Sequence, residues 1–81
     1  MNVRVQFYSQ LRDLAGAQEL DFDLPEKSTV GKLLEKIYEQ KPALRSRDKS
    51  ILVGAGVEFV ERNYELKAGD EISIMPPVQG G

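Results

Sequence analysis

Ser28-Thr29-Val30-Gly31-Lys32-Leu33-Leu34-Glu35-Lys36-Ile37-Tyr38 is the stretch that decides the fold. Its apolar residues Val30, Leu33, Leu34, Ile37 and Tyr38 fall at i, i+3, i+4, i+7 and i+8, one stripe on an otherwise charged helix. A hydroxyl at Ser28 or Thr29 can accept from the first free N–H groups, and Pro42 requires the helix to end before it. It is the one clear helix of the chain. A single striped helix has to cover its stripe, and the flanking sequence offers a sheet.

Upstream, Val3, Val5 and Phe7 alternate with Asn2, Arg4, Gln6 and Tyr8, the period of a strand with one buried face. Leu11, Leu14 and Ala15 suggest a short helical turn stopped by Gly16. Leu20, Phe22 and Leu24 alternate with Glu19, Asp21 and Asp23 in a second strand that Pro25 closes. Downstream, residues 41–50 read as a loop. Ile51 to Ala55 and Glu58 to Val60 read as short strands joined at Gly54-Ala55-Gly56, Leu66 to Asp70 as a turn, and Glu71 to Met75 as the last strand. One helix across one mixed sheet makes a two-layer α+β domain. That element order is the order of the ubiquitin-like β-grasp, with the first and last strands side by side at the centre.

Length and composition narrow the function. A chain of 81 residues builds one small core with little room for an enclosed active site. With 41% hydrophobic and 30% charged residues it is expected to be a soluble globular domain. A net charge of -2 argues against nucleic acid as a partner, although Lys41, Arg45, Arg47 and Lys49 crowd one stretch opposed only by Asp48. That stretch and the pair Asp21 and Asp23 read as solvated surface. No apolar run approaches membrane-spanning length, and the N-terminus has no signal-peptide pattern, so a cytoplasmic location is expected. There is no Cys and no His, which removes the usual metal ligand sets and the Ser-His and Cys-His nucleophile pairs. Gly54-Ala55-Gly56 lacks the Lys-Ser/Thr and the helix start of a phosphate loop. Covalent chemistry, if any, therefore falls to a group other than a side chain.

The C-terminus supplies one. Pro76-Pro77 ends the last strand, since neither residue donates a ladder hydrogen bond, and favours a stiff extended segment. Residues 1–75 are then the domain and residues 76–81 an extended tail with a flexible Gly-Gly end. Pro76 to Gly81 reach roughly 20 Å when extended, and Gly80-Gly81, lacking Cβ atoms, can thread a narrow slot. A carboxylate presented that way can enter another protein's active site and be activated as an acyl-adenylate.

Three stretches carry a resemblance: Phe7-Tyr8-Ser9-Gln10-Leu11-Arg12-Asp13-Leu14-Ala15-Gly16, the turn Leu66-x-x-Gly69-Asp70-Glu71, and the ending Pro76-Pro77-Val78-Gln79-Gly80-Gly81. Together they resemble the small, sulfur-carrier subunits of molybdopterin synthase, in the MoaD/ThiS group of ubiquitin-like sulfur carriers. The resemblance covers essentially the whole chain, and its ending is the most specific part. It implies that a ubiquitin-activating-like adenylyltransferase uses ATP to adenylate the Gly81 carboxylate. A persulfide sulfur donor then converts it to a thiocarboxylate. The tail, through Pro76, Pro77, Val78, Gln79 and Gly80, inserts into the large subunit in a heterotetramer and gives its sulfur to a pyranopterin precursor. The carrier is then no enzyme on its own and binds no cofactor or metal. Many members have Asn in the turn where this chain has Gly56, and both residues tolerate φ > 0. Thiamine-pathway carriers also end in Gly-Gly but usually lack the double proline and are shorter, which favours the molybdenum pathway.

Strand phase gives an independent expectation about docking. Ile72 and Ile74 share the core face, so Met75 points outward, as does Tyr8 after Phe7. Neighbouring strands bring Tyr8 and Met75 together at the root of the tail, and Phe59 either joins them or faces the core with Val57. An apolar patch beside the tail suits a protein partner. Two other functional classes stay open: a carrier for another pathway (thiamine, tRNA thiolation, amino-acid biosynthesis) or a ubiquitin-like protein modifier, and a plain interaction module with an inert tail.

Overall fold

The alternation at the N-terminus sets the first layer. A computed structural model describes residues 1–77. In β1 (Asn2–Phe7) the residues Val3, Val5 and Phe7 are buried and their neighbours face out. α1 (Gln10–Ala15) buries Leu11 and Ala15 and is stopped by Gly16 at φ +69°, a left-handed cap that glycine adopts without a Cβ clash. β2 (Glu19–Asp23) follows with Phe22 buried, and α2 (Val30–Gln40) buries Val30, Leu33, Leu34, Ile37 and Tyr38, the five residues of the stripe. Of the two candidate caps, Thr29 accepts from the Lys32 N–H at 3.3 Å, while the Ser28 hydroxyl donates to the Pro25 carbonyl at 2.7 Å. β3 (Leu52–Ala55), β4 (Glu58–Phe59) and β5 (Glu71–Met75) complete the sheet.

The five strands lie in the order β2-β1-β5-β3-β4. β1 is antiparallel to β2 and parallel to β5, and β5 is antiparallel to β3. A mixed sheet with a central pair of parallel terminal strands and one main helix on one face is the ubiquitin-like β-grasp. The stripe of α2 meets Val3, Val5, Phe7, Phe22, Val53, Ile72 and Ile74 in one apolar core. Because β5 is the middle strand, the chain leaves the domain from the centre of the sheet. Val78, Gln79, Gly80 and Gly81 lie outside the described residues.

Two expectations are corrected. Residues 41–50 are not a loop: Pro42–Ser50 form a 3-10 helix that buries Leu44 against the core. With Leu44 as its one buried residue, it has no repeating apolar position to read. The β3–β4 connection also lies later than expected, at Gly56 and Val57, because Gly54 and Ala55 pair with Ser73 and Ile72 as strand residues. Gly56 has φ +62°, the positive value expected from Asn or Gly in this turn.

Candidate functional site at the tail exit

Strand pairing assembles the site. Phe7 is opposite Ile74, and the Tyr8 N–H extends the ladder by donating to the Ile74 carbonyl at 3.1 Å. That bond sets Tyr8 beside Met75, the last strand residue before Pro76-Pro77. On the other side Leu52 is paired with Met75, and Gly54 with both Ser73 and Phe59. Tyr8, Gly54, Gly56, Val57, Glu58, Phe59, Ser73 and Met75 line one concavity of about 360 Å³. Ile72 and Ile74 of the same strand are buried in the core, so this concavity lies on the sheet face opposite α2.

Phe59 belongs to this outer face. It is 69% exposed, Tyr8 is 43% exposed and Val57 fully so, and these are the exposed large hydrophobics of the described residues. All three line the same concavity, which unites the three expected patch residues Tyr8, Phe59 and Met75. Sequence reading missed Gly54, assigned there to a turn. A Cβ at Gly54 would come within 3.3 Å of the Met75 Cε and 3.5 Å of the Glu58 carbonyl oxygen. The bare glycine thus leaves the floor of the concavity open. A glycine inside a strand pattern was the available signal, since it often marks a close approach.

A polar ladder holds the rim. The Tyr8 hydroxyl donates to Gln6 Oε1 at 2.8 Å, and Gln6 Nε2 donates to Glu19 Oε1 at 3.2 Å. Arg4 Nε lies 3.4 Å from both Glu19 and Asp21, an exposed ion pair that keeps Asp21 on the solvated surface. The tail root has a second side. Gln10, Leu11, Arg47, Ser50, Ile51, Pro76 and Pro77 line a smaller cleft of about 150 Å³. Pro76 and Pro77 therefore leave β5 with the apolar concavity on one side and a polar cleft with Arg47 on the other.

Neither recess contains reactive side-chain chemistry. Among the described residues no group of three or more His, Cys, Asp or Glu is arranged to hold a metal ion, and no helix is long and apolar enough to cross a membrane. The most perturbed acid sits elsewhere. Asp48 accepts from the Tyr38 hydroxyl at 2.5 Å and from Arg62 at 3.0 Å, and the Tyr38 bond, then Arg62, hold its carboxyl below the usual carboxylate range. Tyr38 is shifted upward by burial and by donating to Asp48. This cluster joins α2 to the 3-10 helix, away from the concavity.

Residues 5–81 match the ThiS family. The chain belongs to that family. Among its relatives, the molybdopterin synthase sulfur carrier subunit of Chlamydomonas reinhardtii is 34% identical over 83 aligned positions, covering 100% of both chains. Among solved structures, SAMP1 of Haloferax volcanii superposes with a TM-score of 0.89 at 29% identity over 100% of both chains. A putative molybdopterin converting factor subunit 1 of Pyrococcus furiosus does so at 0.89 and 28%, covering 96% of this chain and 99% of its own length. Each of these three relatives is matched over at least 96% of this chain.

Proposed function

We propose that this chain is a sulfur carrier of molybdenum cofactor biosynthesis, the small subunit of a molybdopterin synthase, working through the Gly81 carboxylate. The observation that carries this reading is the exit of the chain from central β5 through Pro76-Pro77, directly beside the Tyr8–Phe59–Met75 concavity. A protein that binds the concavity thereby receives the tail. Residues 1–75 act as the docking domain and 76–81 as the arm, with Val78, Gln79 and Gly80 spanning the entry slot of the partner. The absence of Cys and His from the sequence leaves the terminal carboxylate as the acceptor of sulfur.

The chemistry follows from that acceptor. A carboxylate oxygen of Gly81 attacks the α-phosphorus of ATP in a ubiquitin-activating-like adenylyltransferase, and pyrophosphate leaves. The terminal sulfur of a donor persulfide attacks the acyl carbon and AMP leaves. A thiol of the donor system then cleaves the acyl disulfide, forming its own disulfide and freeing the thiocarboxylate. The loaded tail enters the large subunit, whose side chains catalyse transfer to the pyranopterin precursor. The carrier supplies sulfur and position, and binds no cofactor itself. A cytoplasmic location and a heterotetramer with the large subunit belong to the same proposal.

Reconstitution with the large subunit, activating enzyme and sulfur donor tests this reading. Deleting Gly81 is expected to abolish formation of the dithiolene product while leaving the domain folded. Undiminished product from the deleted chain refutes it. A second reading, a protein modifier, rests on the likeness to SAMP1 of Haloferax volcanii, described as small archaeal modifier protein 1. Isopeptide adducts of Gly81 on lysines, found without any sulfur transfer, would favour it.

A further inference from the structure

The 3-10 helix Pro42–Ser50 and the residue before it hold four of the eleven basic residues and one of the thirteen acids, leaving seven bases against twelve acids elsewhere. A chain of net charge -2 is therefore strongly polarised, with positive charge gathered at one place. The one acid there, Asp48, is consumed internally by Tyr38 and by Arg62, whose guanidinium also donates to the Asp48 backbone carbonyl at 2.7 Å. Arg45 is committed as well, lying 5.1 Å from the centre of the Tyr38 ring and 3.5 Å from Glu35. Arg47 and Lys49 are exposed and make no ion pair among the described residues. Buried Leu44 and the Asp48 cluster anchor the helix that displays them. Arg47 also lines the cleft that contains Pro76 and Pro77.

We propose that the cationic 3-10 helix, through its exposed residues Arg47 and Lys49, is a contact surface for an acidic patch on the enzyme that activates the C-terminal carboxylate. The inference rests on the carrier function above and adds to it a second contact, across the tail root from the apolar concavity. The activating enzyme is the occupant because a carrier must meet it first and then leave it. Rim charges act chiefly on the rate of encounter and are screened by salt, which suits a partner that has to be released. A polarised charge distribution also orients the encounter so that the tail root leads.

The test uses the full chain and its cognate activating enzyme, following ATP–pyrophosphate exchange as carrier concentration and salt are varied. The double variant Arg47→Glu/Lys49→Glu is expected to raise the KM for carrier at least about tenfold at low salt, with kcat unchanged. Its KM should approach the wild-type value as salt is raised to about 0.5 M, where screening is nearly complete. Arg47→Ala/Lys49→Ala should fall between the two. Both residues are exposed, and thermal melts check that each variant retains the fold. An unchanged KM at low salt overturns the proposal, as does a defect confined to binding the large subunit, RNA or anionic vesicles. If the wild-type chain itself supports no exchange, the carrier function falls first and this surface with it.

Discussion

Gly54 and Met75 meet where the last strand hands the chain to Pro76, and the concavity depends on the smallness of one and the reach of the other. Filling the floor by Gly54→Leu should leave the fold intact, because the nearest obstacle is the flexible end of Met75, yet lower affinity for the large subunit at least about tenfold, or roughly 1.4 kcal/mol. Tyr8→Asp and Met75→Asp should have the same effect, read by titration calorimetry. Unchanged affinity in all three would remove the concavity from the docking surface. Ser9 is a separate case. It has φ +52° and ψ -132° and caps α1 without a side-chain bond, a strained conformation for a residue with a Cβ. Ser9→Gly is therefore expected to raise stability by about 1 kcal/mol in urea denaturation, the released strain exceeding the added chain entropy. Tyr8 and Met75 were legible in the sequence because strand alternation alone orients them. Gly54 and Ser9 were not, since a strand glycine reads as a turn and a strained serine reads as an ordinary loop residue.

Elements held by periodic apolar residues could be read directly, and the element held by polar contacts could not. β1, β5 and α2 carry strict periods of two or 3.6, and each lies where its pattern puts it. The 3-10 helix has Leu44 as its one buried residue and is tied down by Asp48, whose bonds to Tyr38 and Arg62 come from segments distant in sequence. No local pattern announces such a clasp. Asp48→Asn should cost about 1 kcal/mol near neutral pH, below the usual range for a charge-assisted bond because Asp48 is 40% exposed and screened by solvent. Its folded carboxyl is shifted downward, so this contribution is present above the ordinary carboxylate range. It is lost as pH falls through the lowered folded value. Tyr38 is shifted upward, so its share is present below the ordinary phenol value and lost as pH rises beyond it. Urea midpoints of wild type and Asp48→Asn should converge on acidification. A constant gap between them would show that the carboxylate does not carry the contribution.

At the scale of the whole molecule, the sheet order decides what the domain can do. A chain that ended on an edge strand would present its tail far from the broad outer face, whereas β5 at the centre ends beside the concavity. The β-grasp was legible because one striped helix and an alternating strand at each end leave few other arrangements. The charge asymmetry was visible as a basic stretch, but its meaning depended on the folded position of Arg47 next to Pro76 and Pro77. The central claim is that Gly81 carries the sulfur. It is tested most directly by the intact mass of the chain after incubation with activating enzyme, ATP and a persulfide donor. A gain of about 16 Da, one oxygen exchanged for sulfur at the activated carboxyl, is predicted for the full chain and none for the chain lacking Gly81. A full chain that stays at its original mass would contradict the account.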